Sequence, residues 1–583
     1  MKNRLRIGAC LLLLLLLPGI VAAQNKPDEL AQKLDAFFAE HAEETVGVSM
    51  SVFSDDTVLY ERYHGYENRE ENRPMNEDTV VEWGSVTKLL TWVSVMQLVE
   101  QGTIDIETDI RTVLPEGFLT NLRFAKPVTM KDLMNHEAGF EEMMVNLFVQ
   151  DADAVQPLEE TLRERQPIQV FEPGSTTAYS NWGTALAAYI VEYQSGQDFA
   201  DYVHEHIFTP LGMKHTALRP DLSDNPAVKE RREHLNGYYS DGRLYENSDY
   251  AVPLYPAGMC TGTLADFRTF AQALLTSSRE ALLFAHPETM QEMLSATSVY
   301  ASGRTRNAHG LWAHYLGSVS YGHGGNTAGC SSHLLFDPEQ QIGVVVMTNQ
   351  QNETTFTEGV RPLVFGEFIG SAFDTEKRDI PEGFYTTPRA VYHGPLALTQ
   401  VGVMKATEED LTMYWEEVDT GGEHRIQMAY MDIIRVEPAS LLILLILAGG
   451  LLLGAVYGLL TLLGTGIAAL WRRRKKPAAQ IKHSGYRKWN LLAAGALVLF
   501  VLNIVILVLQ LMSFQPLWQY RWQPVLSAVL ALVFIALLFI LGKAVLSKSV
   551  PGKRRVQYGF TALFLAIALC ANIYWQMYQF WAL

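Results

Sequence analysis

Four uninterrupted apolar stretches fill the last quarter of the chain: Leu441 to Leu470, Leu491 to Met512, Val525 to Leu546, and Phe560 to Leu583. Each reaches the roughly 20 residues that an α-helix needs to cross a hydrocarbon core. The pattern therefore predicts four transmembrane helices within residues 440–583. The first carries Gly450, Gly454 and Gly458 at four-residue spacing. Such a stripe either admits a close neighbouring helix or is ordinary membrane-helix glycine. Asn503, Gln510, Asn572 and Gln576 are polar but uncharged, and no acidic residue lies in these stretches. That argues against a proton relay or an ion path.

Upstream, the periodicity changes. Residues 28 to 42 read as an amphipathic helix. Val46 to Phe53 and Val58 to Tyr63 read as strands joined across Ser54-Asp55-Asp56. Far downstream, Ser332 to Phe336 and Ile342 to Met347 form a second hairpin across Asp337-Pro338-Glu339-Gln340. The intervening sequence is mostly helical and loop-like. Strands at both ends of a helical middle predict an α/β domain, residues 24–375, with an inserted helical lobe. Residues 376–439 mix aromatic and β-branched residues with turns such as Thr420-Gly421-Gly422, which reads as a juxtamembrane β-rich module or linker. Residues 1–23 begin with Lys2, Arg4 and Arg6, continue into an apolar run and end in Val21-Ala22-Ala23. That is the layout of a secretory signal peptide, the alternative being a first membrane anchor. Cys10 precedes most of that run and is badly placed for a lipid-anchored terminus.

Charge divides along the same boundaries. Residues 440–583 hold 14 Lys or Arg and no Asp or Glu, so the net charge of −17 leaves −31 before them. An ectodomain so acidic is a poor partner for nucleic-acid phosphates and is instead soluble. Eight basic residues from Arg472 to Lys488 separate the first two apolar stretches. Five from Lys543 to Arg555 separate the last two, and only Arg521 lies in the middle loop. The positive-inside rule places the two basic loops in the cytoplasm and the region before residue 440 outside. This agrees with a signal peptide, and a multi-pass cell-membrane protein with its soluble domain extracytoplasmic is expected. Outside the signal and the apolar stretches only Cys260 and Cys330 remain. They could pair in an oxidising compartment or be small buried residues, and they make neither a disulfide scaffold nor a Cys-rich zinc site.

The candidate chemistry lies in three short motifs. Trp83-Gly84-Ser85-Val86-Thr87-Lys88 runs into an apolar helix, with Ser85 at its start and Lys88 one turn later. A serine hydroxyl needs a nearby proton acceptor, and a lysine in a partly desolvated cleft can have its pKa depressed enough to serve. Alone, Ser and Lys three apart is a weak signal. Tyr179-Ser180-Asn181 enters a helix after the Phe171-Glu172-Pro173-Gly174 turn, and Tyr321-Gly322-His323-Gly324-Gly325-Asn326 precedes the last hairpin.

In order, Ser-x-x-Lys, Tyr-x-Asn and His-Gly-Gly resemble the three motifs of the penicillin-recognising serine hydrolases, in the class C β-lactamase and D-peptidase branch. Gly102-Thr103-Ile104-Asp105-Ile106, Met134-Asn135-His136-Glu137-Ala138-Gly139-Phe140, Pro210-Leu211-Gly212-Met213 and Gly262-Thr263-Leu264-Ala265-Asp266 resemble landmarks of the same family. The resemblance covers roughly residues 28 to 373. It implies a β-lactamase/transpeptidase-like fold, an antiparallel sheet flanked by helices plus a helical lobe. It further implies acylation of Ser85, proton balance through Lys88 and Tyr179 as general base with its phenolate favoured by positive charge. Asn181 would bind the substrate amide and steady Lys88, and the N–H groups of Ser85 and Asn326 would form the oxyanion hole. His323, Gly324 and Gly325 would complete the substrate-binding edge. No metal or organic cofactor is implied.

The third motif departs from the Lys-Thr-Gly usual in family lactamases. His323 replaces a permanent cation with a group only partly charged near neutral pH, and Gly324 lacks a threonine hydroxyl. This resembles the esterase, D-aminopeptidase and some D-alanyl-D-alanine peptidase members and puts efficient β-lactam hydrolysis in doubt. His136 lacks a second histidine at metal spacing and reads as structural, His333 as strand packing, and Trp83 and Trp182 as either cleft or core. The expected function is a membrane-anchored serine hydrolase of peptides, amides or esters, its substrate a small molecule or a peptide such as one derived from the cell wall. A receptor or regulator working through its membrane helices and a partner protein is the alternative, and a plain β-lactamase a third reading.

Overall fold

The computed structural model describes residues 29–142, 147–152, 155–246, 250–275, 282–366, 382–401, 403–405, 414–420, 423–473, 484–512 and 517–582. The expected signal segment, the Gly421-Gly422 turn, most of the first basic loop and Leu583 lie outside the described residues. Helix α1 (29–41) precedes strands β1 (Gly47–Phe53), β2 (Val58–Asn68) and the short β3 (Arg73–Pro74). The chain returns to this sheet late, in β4 (Ser298–Val299), β5 (Thr305–Ala308), β6 (Leu311–Leu316), β7 (Ser318–Asn326), β8 (Ser331–Asp337) and β9 (Ile342–Thr348). The nine strands lie in the order β3-β2-β1-β9-β8-β7-β6-β5-β4. β1 pairs antiparallel with β9, Val48 opposite Thr348 and Met50 opposite Val346, so the two ends of the domain close on each other.

Alternation explains why this sheet sits in the middle. Val344 and Val346 of β9 pack with Leu34 and Phe38 of α1, while Val345 and Met347 face the opposite layer around Trp83 and Phe270. Successive side chains point to opposite faces, and a strand apolar at every position is covered on both. The inserted lobe contains α2 (Lys88–Glu100), α3 (Asn181–Ser195) and α4 (Leu264–Ala273), with a three-stranded ribbon of Val80–Glu82, Thr261–Thr263 and Thr216–Ala217. α2 is buried almost all round, as the centre of a lobe requires. Trp83 and Trp182 belong to this core. Cys260 and Cys330 are both buried and both free.

After the nine-stranded sheet come β10 (Tyr385–Thr386), β11 (Val403–Met404), β12 (Trp415–Thr420), β13 (Glu423–Met428) and β14 (Asp432–Arg435), ordered β11-β10-β14-β13-β12. This small sheet docks on the larger domain. Asp432 N–H donates to Thr177 O at 2.9 Å, Arg306 pairs with the Asp432 carboxylate, and Tyr300 Oη donates to Tyr414 O at 3.1 Å.

Four helices follow, α5 (Pro438–Arg473), α6 (Ser484–Met512), α7 (Trp522–Leu546) and α8 (Gly552–Tyr574), all long and apolar enough to cross a membrane. α8 is displaced from the expected 560–583. It starts earlier and stops at Tyr574, because Gln576 takes a left-handed φ of 52°, a conformation that closes helices rather than extends them. The glycine stripe is a packing surface. A Cβ on Gly450 would meet Ile567 at 2.7 Å and one on Gly454 would meet Phe564 at 3.3 Å, both on α8, while one on Gly458 would meet Ala494 O of α6 at 2.8 Å.

Candidate active site

Ser85 lies in a short 3₁₀ turn, Gly84–Thr87, and Lys88 is the first residue of α2 proper. The tight turn depends on Gly84, whose φ is +51° and whose missing Cβ would sit 2.7 Å from Asn326 N. Opposite it, a Cβ on Gly325 would lie 2.1 Å from Trp83 O and 3.1 Å from Ser85 N. The two glycines thus let the Ser85 turn press directly on the end of β7, bringing the backbone amides of Ser85 and Asn326 close together. The sequence places Tyr321–Asn326 ahead of a strand; here these residues are themselves strand β7. β7 pairs with β6 only as far as Gly322 opposite Trp312, so no β6 residue pairs with His323 to Asn326.

Lys88 is completely buried and its Nζ has three polar neighbours: Ser85 Oγ at 3.2 Å, Asn181 Oδ1 at 2.8 Å and Ala257 O at 2.6 Å. Asn181 opens α3, where the Ser180 side chain caps the helix by accepting from Gly183 N–H at 3.0 Å. Asn181 is in turn fixed by Glu142, whose Oε1 accepts from its N–H at 3.0 Å and its Nδ2 at 2.9 Å. A chain of contacts therefore runs Glu142, Asn181, Lys88, Ser85. Tyr179 stands beside it with its ring centroid 4.7 Å from Lys88 Nζ and its hydroxyl buried.

A cavity of about 520 Å³ opens on these groups. Ser85, Tyr179, Asn181, Gly324, Gly325 and Asn326 line one side, and Trp312, His314, Arg389 and Tyr430 stand around it. His323 is not among its lining residues. Its ring is buried against Trp312, 3.8 Å between centroids, and its Nδ1 is 2.5 Å from Gly324 O. The expectation of a partly charged imidazole facing substrate is thus corrected. Burial, then the neighbouring Lys88, hold His323 well below the usual histidine range, so it is neutral and packed.

The family profile described as beta-lactamase matches residues 34–365, more than half of the chain. The chain belongs to the β-lactamase family. Among relatives of this β-lactamase-family chain, penicillin-binding protein 4 of Amycolatopsis lactamdurans is 26% identical over 385 residues, 63% of this chain and 96% of its own. Esterase EstB of Burkholderia gladioli is 32% identical over 199 residues, 32% of this chain and 50% of its own. A putative D-alanyl-D-alanine carboxypeptidase of Escherichia coli K12 is 23% identical over 367 residues, 54% of this chain and 83% of its own. The chain is a serine hydrolase of the β-lactamase and penicillin-binding type.

Burial sets the protonation states. The Lys88 ammonium is pushed well below 10.5, first by desolvation and then by Arg389, with Glu142 opposing. The Tyr179 phenol is raised by burial, and Ser85 and Arg389 lower it only in part. The phenolate expected at Tyr179 is therefore disfavoured, and the free amine of Lys88 is favoured. His136, φ 58°, is buried 4.4 Å from the Tyr179 ring and accepts from Ser180 N–H at 3.3 Å, a structural role. His333 is buried as expected but borders the cavity. Among the described residues, no group of three or more His, Cys, Asp or Glu could hold a metal ion. Glu142, Arg389 and Tyr430 escape sequence reasoning. Glu142 lies two residues past the Met134–Phe140 landmark, and a signal existed there. Arg389 and Tyr430 lie in the β-rich module, beyond every motif.

Proposed function

We propose that this chain is a membrane-anchored, extracytoplasmic serine hydrolase that forms an acyl-enzyme at Ser85 on a D-peptide, amide or ester. The observation that carries the reading is the coordination of Lys88. Two of its three neighbours, Asn181 Oδ1 and Ala257 O, can only accept hydrogen bonds. A neutral amine donates its two N–H bonds to them and keeps its lone pair for the third neighbour, the Ser85 hydroxyl. Lys88 then takes the Ser85 proton as Oγ attacks the substrate carbonyl, and the tetrahedral oxyanion is met by the Ser85 and Asn326 amides. Lys88 returns the proton to the leaving group, with Tyr179, still a phenol, beside it. Water hydrolyses the acyl group by the same route in reverse.

The names of the relatives, an esterase and a putative D-alanyl-D-alanine carboxypeptidase, support acyl transfer on esters and D-peptides. A neutral, packed His323 in place of a permanent cation favours simple esters and amides over β-lactams. Turnover of a p-nitrophenyl ester and a D-alanine anilide by the full chain, lost in Ser85→Ala, is expected. Ester turnover unchanged in Ser85→Ala would refute the reading. The orientation rests on the two basic loops, and a reporter fused at Pro477 should behave as cytoplasmic.

A further inference from the structure

We propose that Arg389 is a positioning residue of this site: delivered from beyond the family core, its guanidinium acts across the Tyr179 ring to keep Lys88 available as a proton acceptor. The inference rests on the Ser85 and Lys88 reading above. The guanidinium carbon of Arg389 lies 4.7 Å from the Tyr179 ring centroid, the same distance as Lys88 Nζ. The two cationic groups are therefore no more than twice that distance apart, in a largely buried site where charge repulsion is weakly screened. A guanidinium does not give up its proton, so the pair relieves repulsion by Lys88 losing its own.

The remaining groups around Lys88 do not supply this effect. Tyr179 and Ser85 are uncharged hydroxyls, Asn181 is neutral, and burial pushes both His136 and His323 toward neutrality. Glu142 acts in the opposite sense on Lys88 and is balanced by Arg389, whose Nη2 is 3.6 Å from its Oε1. Arg361 borders the same cavity but donates to Glu358 at 2.9 Å.

The position of Arg389 is built in from both sides. Ala390 O accepts from Glu142 N–H at 3.2 Å and Tyr392 N–H donates to Glu141 at 2.9 Å, which ties the segment to the catalytic lobe. Gly394 N–H donates at 3.0 Å to Gln576, just past the end of α8, which ties it to the helical bundle. Residues 389–394 thus bridge the site and the apolar helices, and the part of the chain outside the family match supplies a charge to the part inside it.

The test is the pH dependence of fluorophosphonate labelling by the full chain in detergent, for wild type, Arg389→Gln and Arg389→Lys. Labelling rises with pH as Lys88 loses its proton. Arg389→Gln should move that rise upward by about one pH unit, slowing labelling about tenfold below it and leaving the plateau unchanged. Arg389→Lys, which keeps the charge, should follow wild type. A rise at the wild-type pH in Arg389→Gln, whether or not labelling is slower overall, would overturn the proposal. So would a full-unit shift in Arg389→Lys, which remains decisive if the glutamine variant does not fold. Failure of the underlying reading appears separately, as wild-type labelling that persists in Ser85→Ala.

Discussion

Replacing Lys88 by methionine removes the amine while keeping an unbranched chain of similar length in a completely buried site. Two consequences follow from its three contacts. Ser85 loses the group that takes its proton, and a positioned general base is worth about 10²–10⁴ in rate, or roughly 2.7–5.4 kcal/mol of barrier. Asn181 Oδ1 and Ala257 O also lose a buried donor, at about 1–3 kcal/mol each, offset by no longer burying an amine. The assay is the single-turnover acylation rate from pH 5 to 10, with circular dichroism to confirm folding. In wild type the base must be unprotonated, so the rate climbs with pH through the folded-state pKa of Lys88. It then levels off well below 10.5, because burial and Arg389 depress that pKa. In Lys88→Met the climb should vanish and the remaining rate should be at least about 10²-fold lower. A variant within threefold of wild type, or a wild-type rate still climbing at pH 10, would refute the reasoning.

Acid should destabilise the hydrolase domain below pH 6.5. Burial lowers the pKa of His136, His314, His323 and His333, that of His314 to about 3. The unfolded chain then binds protons that the folded one refuses. Their contribution is fully present above 6.5 and is lost as pH falls, by up to about 1.4 kcal/mol per unit for each group. Urea midpoints at pH 5.0 and 7.5 should show this loss, and equal midpoints would contradict it. Gly325→Ala should cut acylation by at least about 10²-fold, the scale of a lost oxyanion donor, because its Cβ would collide with Trp83 O and crowd Ser85 N. Stopped-flow acylation within threefold of wild type would argue against the close seat of the Ser85 turn on β7.

Much of this architecture was legible in local pattern. The strands at 46–63 and 332–347 identify the middle of the sheet, and long apolar runs identify all four helices. Ser85, Lys88, Tyr179 and Asn181 stand in recognisable short motifs, and the structure brings all four within one site. What was not legible depends on long-range approach. His323 reads as a substrate-facing group until Trp312 is seen packed against it. Tyr179 reads as a base until its burial is known, since desolvation is a property of the surroundings rather than of the motif. Arg389 reaches Tyr179 from more than two hundred residues away in sequence, with no spacing rule to connect them.

The central claim is that Ser85 becomes covalently acylated. Intact-mass and peptide mass spectrometry of the full chain after brief exposure to a fluorophosphonate, beside Ser85→Ala, tests it most directly. The account predicts one adduct per chain, located on the peptide containing Ser85 and missing from the variant. An adduct on another residue, or labelling of Ser85→Ala at the wild-type level, would contradict it.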